Sequence, residues 1–396
     1  MISEMEENLR HLQRLLHATL QAFAGGALVS PLASLLGRTW ATCHPAWLAR
    51  LHEIEELCGR LSGTGSTAGD GRIRTFRDAA MVLARGYRLL RESVPAESGM
   101  GAGGAPIQVL RRLDVPGGRA GDSPAMYALQ AYLRRHCADD LRAAFVHGSY
   151  STGDANAYSD LDTLVVLRTS VVEDPERLLA CALRLIPSNR YLLHCDLLQH
   201  HTHFVLTETD FTWYADAFFP RILFRYSTEL FSETDLAVVR VRDSAAECRR
   251  DLDSMCRRFL KPPATAILMR AYSLKLHLSC FMILPALLSQ VLGEACYKRD
   301  SFERVRDLYE PAEWQIMDEV SAIRQQWRQT SPGLWASIAG LHPLVHALLF
   351  RRFGRWGVPA GVISQVTNPV FQASQRQFAE KTLQLARQPG HAEVAV

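Results

Sequence analysis

Apolar positions recur at helical spacing through the first ninety or so residues: Leu9, Leu12, Leu15, Leu16 and Leu20, then Ile54, Leu57 and Leu61. This predicts a helical N-terminal region over 1–96. The pattern then breaks. Two glycine-rich stretches, ESGMGAGGAP (97–106) and PGGRAGDSP (116–124), bracket the short piece IQVLRRLDV and predict a Gly/Pro-rich linker or surface loop over 97–123. A helical stretch at 124–137 leads to the apolar run LRAAFVH (141–147), which reads as a buried strand. Turn formers fill 148–159, and DLDTLVVL (160–167) reads as a second strand. A helix over 173–186 follows, then strand candidates YLLHCDLLQ (191–199) and HFVLTE (203–208). From 233 onward the period returns to that of helices, predicted over 233–259, 264–292, 299–309, 312–329, 334–352 and 370–388. Pro262, Pro263, Pro311, Pro332 and Gly354 punctuate them. The fold class expected is α+β: a small mixed sheet over 124–232, flanked by an N-terminal helical region and a C-terminal helical domain over 233–396.

Composition narrows the field. The 396 residues are 48% hydrophobic and 21% charged, enough apolar material for packed cores and incompatible with disorder of the whole chain. The 44 basic and 41 acidic side chains leave a net charge of +3, so wholesale electrostatic capture of nucleic acid is not indicated. Arginine supplies nearly all the positive charge, with lysine only at 261, 275, 298 and 381. Nine scattered cysteines form no C-x-x-C pair, which argues against a disulfide framework or zinc knuckle and for reduced thiols in a cytoplasmic setting. The start, MISEMEENLRH, carries three glutamates before its first arginine, unlike a secretory signal. The apolar stretches 20–37 and 274–293 are interrupted by Pro31, and by Lys275, His277 and Pro285. Neither is expected to meet a membrane.

The candidate chemistry lies between the first two strands. Asp160 and Asp162 flank Leu161 at a strand start, so both point to one face, about 6–7 Å apart along the chain. Paired carboxylates are poor core residues and good ligands for hard divalent cations. Gly148 and Ser149 end the preceding strand, where a glycine lets a polyphosphate approach the backbone and the hydroxyl can donate to it. Asp196 is set among Leu193, Leu197 and Leu198; metal coordination beside 160 and 162 would explain an acid in such a run.

The combination in FVHGSYSTGDANAYSDLDTLVVL, with the later lone acid, resembles the nucleotidyltransferase superfamily related to DNA polymerase beta, in particular its minimal and aminoglycoside nucleotidyltransferase members. The resemblance covers roughly 125–230. It implies that Asp160 and Asp162 hold two Mg²⁺ ions bridging the triphosphate and the attacking hydroxyl. By the same resemblance Asp196 binds the catalytic metal and favours deprotonation of that hydroxyl, while Gly148 and Ser149 hold the β- and γ-phosphates. The reaction implied is in-line attack on the α-phosphorus of an NTP, with pyrophosphate leaving. The acceptor expected is a hydroxyl on a small molecule or protein, with nucleic acid less favoured by the balanced charge. Polymerising or cyclising chemistry, such as second-messenger synthesis or RNA tailing, and a non-catalytic nucleotide-binding regulator are the alternatives. His147, where relatives are usually apolar, and Thr163 depart from the pattern without touching the ligand set.

Weaker signals surround this core. In relatives a helical-domain lysine often reaches the triphosphate, which makes Lys275 and Lys298 nucleotide-binding candidates against the alternative of snorkelling surface side chains. His194, His200, His201 and His203 cluster near Asp196 without zinc-ligand spacing, so structural or rim roles are favoured, with His194 the one to test for substrate contact. Tyr272 shares a helix face with Lys275 and reads as core. The aromatic stretch 207–227 reads as a packed hinge rather than a substrate wall. FRRFGRW (350–356) reads as a solvated helix end rather than a nucleic-acid contact.

Overall fold

The computed structural model describes residues 4–26, 43–63, 73–94, 105–113, 123–199, 201–233, 235–261, 263, 265–327 and 360–388. Helix α1 (Glu4–Ala24), α2 (Pro45–Leu61) and α3 (Phe76–Ser93) pack together at the N-terminal end. Helix α3 starts on a capping box: the Thr75 hydroxyl accepts from the Asp78 amide, and the Asp78 carboxylate accepts from the Thr75 amide. Two short strands follow, β1 (Ala105–Pro106) and β2 (Arg111–Arg112). Next come α4 (Pro124–His136), β3 (Leu141–His147), the single turn α5 (Ser149–Thr152), β4 (Asp162–Leu167), α6 (Pro175–Ser188) and α7 (Arg190–Cys195). Strands β5 (Phe204–Thr207), β6 (Thr228–Ser232) and β7 (Ala237–Val238) complete the sheets. The main sheet has the order β2-β6-β3-β4-β5 and is mixed: β3 runs antiparallel to both β4 and β6, while β5 is parallel to β4 and β2 to β6. Strands β1 and β7 pair antiparallel on their own.

Strand alternation sorts the apolar side chains. Ala144, Val146, Val165 and Leu167 face one layer, and Ala143, Phe145, Leu164 and Val166 face the other. The first layer is continuous with α1, α3, α4 and α6 through Leu12, Phe23, Leu83, Leu129 and Leu185, so the N-terminal helices share the core of the sheet. The second layer is built by the aromatic segment after β5, where Phe211, Tyr214, Phe219 and Phe224 are buried. These rings pack on the sheet itself, which differs from the hinge between the α/β portion and the helices expected for 207–227. Helix α1 also covers the free edge of β5: Gln21 accepts from the Val205 amide at 2.8 Å and donates to the His203 carbonyl, satisfying groups that would otherwise offer a pairing edge.

The helical unit after the sheet comprises α8 (Ala245–Leu260), α9 (Ala271–Met282), α10 (Leu284–Val291), α11 (Lys298–Arg306), α12 (Pro311–Gln326) and α13 (Pro369–Arg387). Phe378 is central: it stacks on Tyr309 at 4.5 Å and meets Phe281 at 5.2 Å and Trp314 at 5.9 Å. Among the described residues one helical stretch, Ala271–Val291, has the length and apolar character to cross a membrane, and most of it is packed inside this unit. It is interrupted at Ile283 between α9 and α10, and Pro285, in the first turn of α10, cannot donate a backbone hydrogen bond.

Several expected elements change. The run 191–199 is not a strand but α7 followed by a turn. Leu192 and Leu193, then Leu197 and Leu198, bury as pairs four to five residues apart, and His194 between them is exposed. Strand β6, absent from the sequence reading, lies in the sheet between β2 and β3, and part of the expected linker is extended as β1 and β2. The helix expected over 233–259 begins only at Ala245, because β7 occupies its start. The helix expected over 334–352 lies outside the described residues.

Candidate active site

Strand β3 delivers the chain to Gly148, whose φ of +73° and ψ of −152° suit glycine alone. Space imposes the same choice: a Cβ here would sit 2.8 Å from Asp162 Oδ2. His147 pairs in register with Asp162, so α5 starts directly beside this acid. The Tyr158 and Ser159 turn is fixed by Asn156, whose Oδ1 accepts from the Tyr158 amide at 2.9 Å. The chain then enters β4 through Asp160 and Leu161.

Leu161 is fully buried, and the Gln199 side chain pairs with its backbone on both sides, accepting from its amide at 3.2 Å and donating to its carbonyl at 3.3 Å. This amide acts as a strand neighbour for one residue and fixes the direction of the two acids that flank it. In the sequence Gln199 is marked only by its place at the end of an apolar run.

Asp196 caps the C-terminus of α7. Its amide bonds the Leu192 carbonyl, and its Oδ1 accepts from the Leu198 amide at 2.9 Å. The turn carries it to Asp160, with Lys275 between them. The fully buried Lys275 ammonium donates to Asp160 Oδ1 at 2.6 Å and to Asp196 Oδ2. Its Nζ lies 4.9 Å from the centre of the Tyr158 ring, and the Tyr158 hydroxyl donates to the Lys275 carbonyl at 3.0 Å. Burial disfavours the Lys275 charge, but Asp196 and Asp160 outweigh it and hold the pKa above the ordinary lysine value. Asp196 moves the other way for a carboxyl: burial first, and the neighbouring Asp160, push it up to about 7 against the pull of Lys275. The two shifts are compatible because one ammonium faces two carboxyl groups, so the second negative charge there is poorly compensated.

Asp162 has a different partner. His201 Nε2 lies 2.7 Å from its Oδ1 and 3.9 Å from Asp160 Oδ2. Burial opposes both charges, yet the pairing prevails: Asp162 is held below the usual carboxylate range and His201 is raised to about 9. Of the clustered histidines it is therefore His201 that meets the acids. His194 is exposed with its ring edge-on to Tyr191, away from them, and His200 lies outside the described residues. His203 is buried between Thr163 Oγ1 and Ser188 Oγ, each at 2.7 Å, and burial depresses it to about 4. His147 sits between Phe204 and Phe219, with its buried Nε2 unpartnered.

The helical unit contributes two more groups. Lys298 opens α11; burial and the Arg324 charge lower its ammonium to about 7, while Asp162 and Asp160 act on it from the other side. Its neighbours tie α11 across α5: Tyr297 stacks on Tyr226 at 4.6 Å, its hydroxyl reaches Thr152 Oγ1 at 3.4 Å, and Arg299 pairs with Asp154 at 2.8 Å. Tyr272 is buried in the apolar core of the helical unit, as expected. The FRRFGRW segment lies outside the described residues.

The site therefore gathers Gly148, Ser149, Asp160, Asp162, Asp196, Lys275 and Lys298 into one neighbourhood, with the acids at its centre. Asp160 and Asp162 supply hard oxygen donors, and Asp162 is the more open, with 27% of its side chain exposed against 11% for Asp160. That donor set suits a divalent cation. Among the described residues no three carboxylate, histidine or cysteine groups converge on a single metal position, since Asp196 is directed at Lys275.

Comparison with known proteins places this region. Residues 133–211 match the family model described as a nucleotidyltransferase domain. No curated protein and no solved structure matches the chain.

Proposed function

Since residues 133–211 form a nucleotidyltransferase domain of the superfamily related to DNA polymerase beta, we propose that the protein transfers a nucleoside monophosphate from an NTP to a hydroxyl of a small molecule or protein, in a Mg²⁺-dependent reaction releasing pyrophosphate. The observation that carries this reading is the grouping of three acids: Asp162, at the start of β4, lies against the glycine turn at 148, and Asp160, just before it, shares Lys275 with Asp196 at the end of α7. Asp160 and Asp162 would hold Mg²⁺, which when bound neutralises triphosphate charge and polarises the α-phosphorus. Gly148 lets the phosphates approach the backbone, and the Ser149 hydroxyl donates to them. Lys298, close enough for Asp160 and Asp162 to act on its charge, would meet the phosphates as a cation when protonated. Asp160 shares His201 with Asp162 and Lys275 with Asp196, and by the resemblance to the superfamily Asp196 would favour loss of the acceptor hydroxyl's proton.

The near-balanced charge of the chain supports a small-molecule or protein acceptor over a nucleic acid. All nine cysteines are free, which supports action in the cytoplasm. Incubating the full chain with each α-labelled NTP and Mg²⁺ tests the reading. Asp160→Asn with Asp162→Asn is expected to cut label transfer by about three orders of magnitude, roughly 4 kcal/mol of barrier. Absence of NTP binding, or transfer that survives the double substitution, sinks it.

A further inference from the structure

The position of Lys275 bears on how many cations the site uses. Its ammonium bonds Asp160 Oδ1 and Asp196 Oδ2 at once, so it lies where a cation shared by these two acids would have to lie. We infer that Lys275 permanently takes the place of one of two divalent cations, leaving a single Mg²⁺ to be held at Asp160 and Asp162. This inference rests on the nucleotidyltransferase reading and deepens it.

Three observations support a fixed rather than a displaceable ammonium. Lys275 is 0% exposed on α9, which packs within the apolar core of the helical unit, so its side chain has no solvent route by which to withdraw. Its backbone is held as well, since the Tyr158 hydroxyl bonds its carbonyl and the Tyr158 ring lies beside its Nζ. The cation on Asp162 contrasts with it. His201 belongs to the segment before β5 and keeps 21% of its side chain exposed, so an arriving metal can displace it. A second dication between Asp160 and Asp196 would meet an ammonium in a poorly solvated pocket, where like-charge repulsion is weakly screened.

The test counts metal ions rather than turnover. The full chain is saturated with Mn²⁺ and, in parallel, with each of the α,β-methylene analogues of ATP, GTP, CTP and UTP. Bound Mn²⁺ is then measured by electron paramagnetic resonance and native mass spectrometry. The expected count is one ion per chain in the wild type and two in Lys275→Met, where the vacated position can take an ion. Lys275→Gln, which keeps hydrogen-bond donors for both acids without the charge, is the companion variant in case the methionine chain fails to fold, and is also expected to bind two. Lys275→Arg keeps the charge and is expected to stay at one. Two ions in the wild type overturn the inference while leaving the transferase reading intact. A count of one in the folded neutral variants overturns it as well, because Lys275 would not be what excludes the second ion. A wild type that binds none of the four analogues overturns the transferase reading, and the inference with it.

Discussion

At the scale of single residues, the polar groups buried around the acids differ in how they are paired. His203 is paired on both sides, a neutral imidazole held between Thr163 next to Asp162 and Ser188 at the end of α6. Burial depresses its pKa to about 4, whereas the unfolded chain takes up that proton near 6.5. The folded state therefore binds fewer protons between these values. The stabilisation is complete above about pH 6.5, is lost as the pH falls toward 4, and levels off below that, an effect of roughly 3 kcal/mol. Urea unfolding at pH 7.0 and 4.5 measures it. The wild type should lose stability over this interval more steeply than His203→Asn, and equal slopes would rule out His203 as the titrating group. The residue types at the site were legible in the sequence: a glycine before a turn, two acids one residue apart, a later acid in an apolar run. Their pairing was not. Nothing in the local sequence says that Asp162 meets His201, or that Asp196 meets a lysine from another unit, because these contacts close loops whose ends are set by packing elsewhere.

At the scale of elements, α1 is fastened to the sheet by a buried polar chain. Arg242 Nε donates to Gln13 Oε1 at 2.7 Å, its Nη1 donates to Glu247 Oε1 at 2.8 Å, and Gln13 donates to the Trp213 carbonyl at 3.0 Å. The chain joins α1, the aromatic layer after β5 and the first turn of α8. Both charged side chains are almost wholly excluded from solvent. Glu247→Ala should therefore cost about 3–5 kcal/mol, by leaving a buried guanidinium without its partner, while Glu247→Leu with Arg242→Met should cost less than the single change. Denaturant midpoints of the three chains decide this. Helix existence was readable here, since the leucine spacing of α1 marks one buried stripe. The misassigned run at 191–199 shows the limit. Short apolar stretches satisfy helix and strand alike until neighbours choose, and α7 follows directly on α6 at Asn189. Strand β6 escaped notice for a related reason: five residues in the wake of an aromatic stretch carry little periodicity of their own, yet β3 needs a neighbour on that side.

At the scale of the whole molecule, the site belongs to two units at once. Tyr158, Leu197 and Leu198 come from the α/β portion but bury in the apolar core of the helical unit, beside Leu274 and Leu278 of α9. The chain ended at residue 244 would keep all three acids and lose Lys275. We expect this fragment to bind no NTP and to melt about 10 °C or more below the full chain, because Asp160 and Asp196 lose their shared cation while apolar surface is uncovered. A fragment as stable as the full chain, by calorimetry, would show that the interface contributes little. The amino-acid sequence by itself determined the strands that bury both faces, the glycine that must precede α5, and the two aspartates one residue apart where the chain enters β4. These follow from backbone sterics and local period, which act within a few residues. Tertiary structure alone decided that α1 seals the edge of β5, that α7 rather than a strand presents Asp196, and that Lys275 bridges two of the acids. Those outcomes depend on pairing charges and apolar faces far apart along the chain, and only the folded packing brings them together.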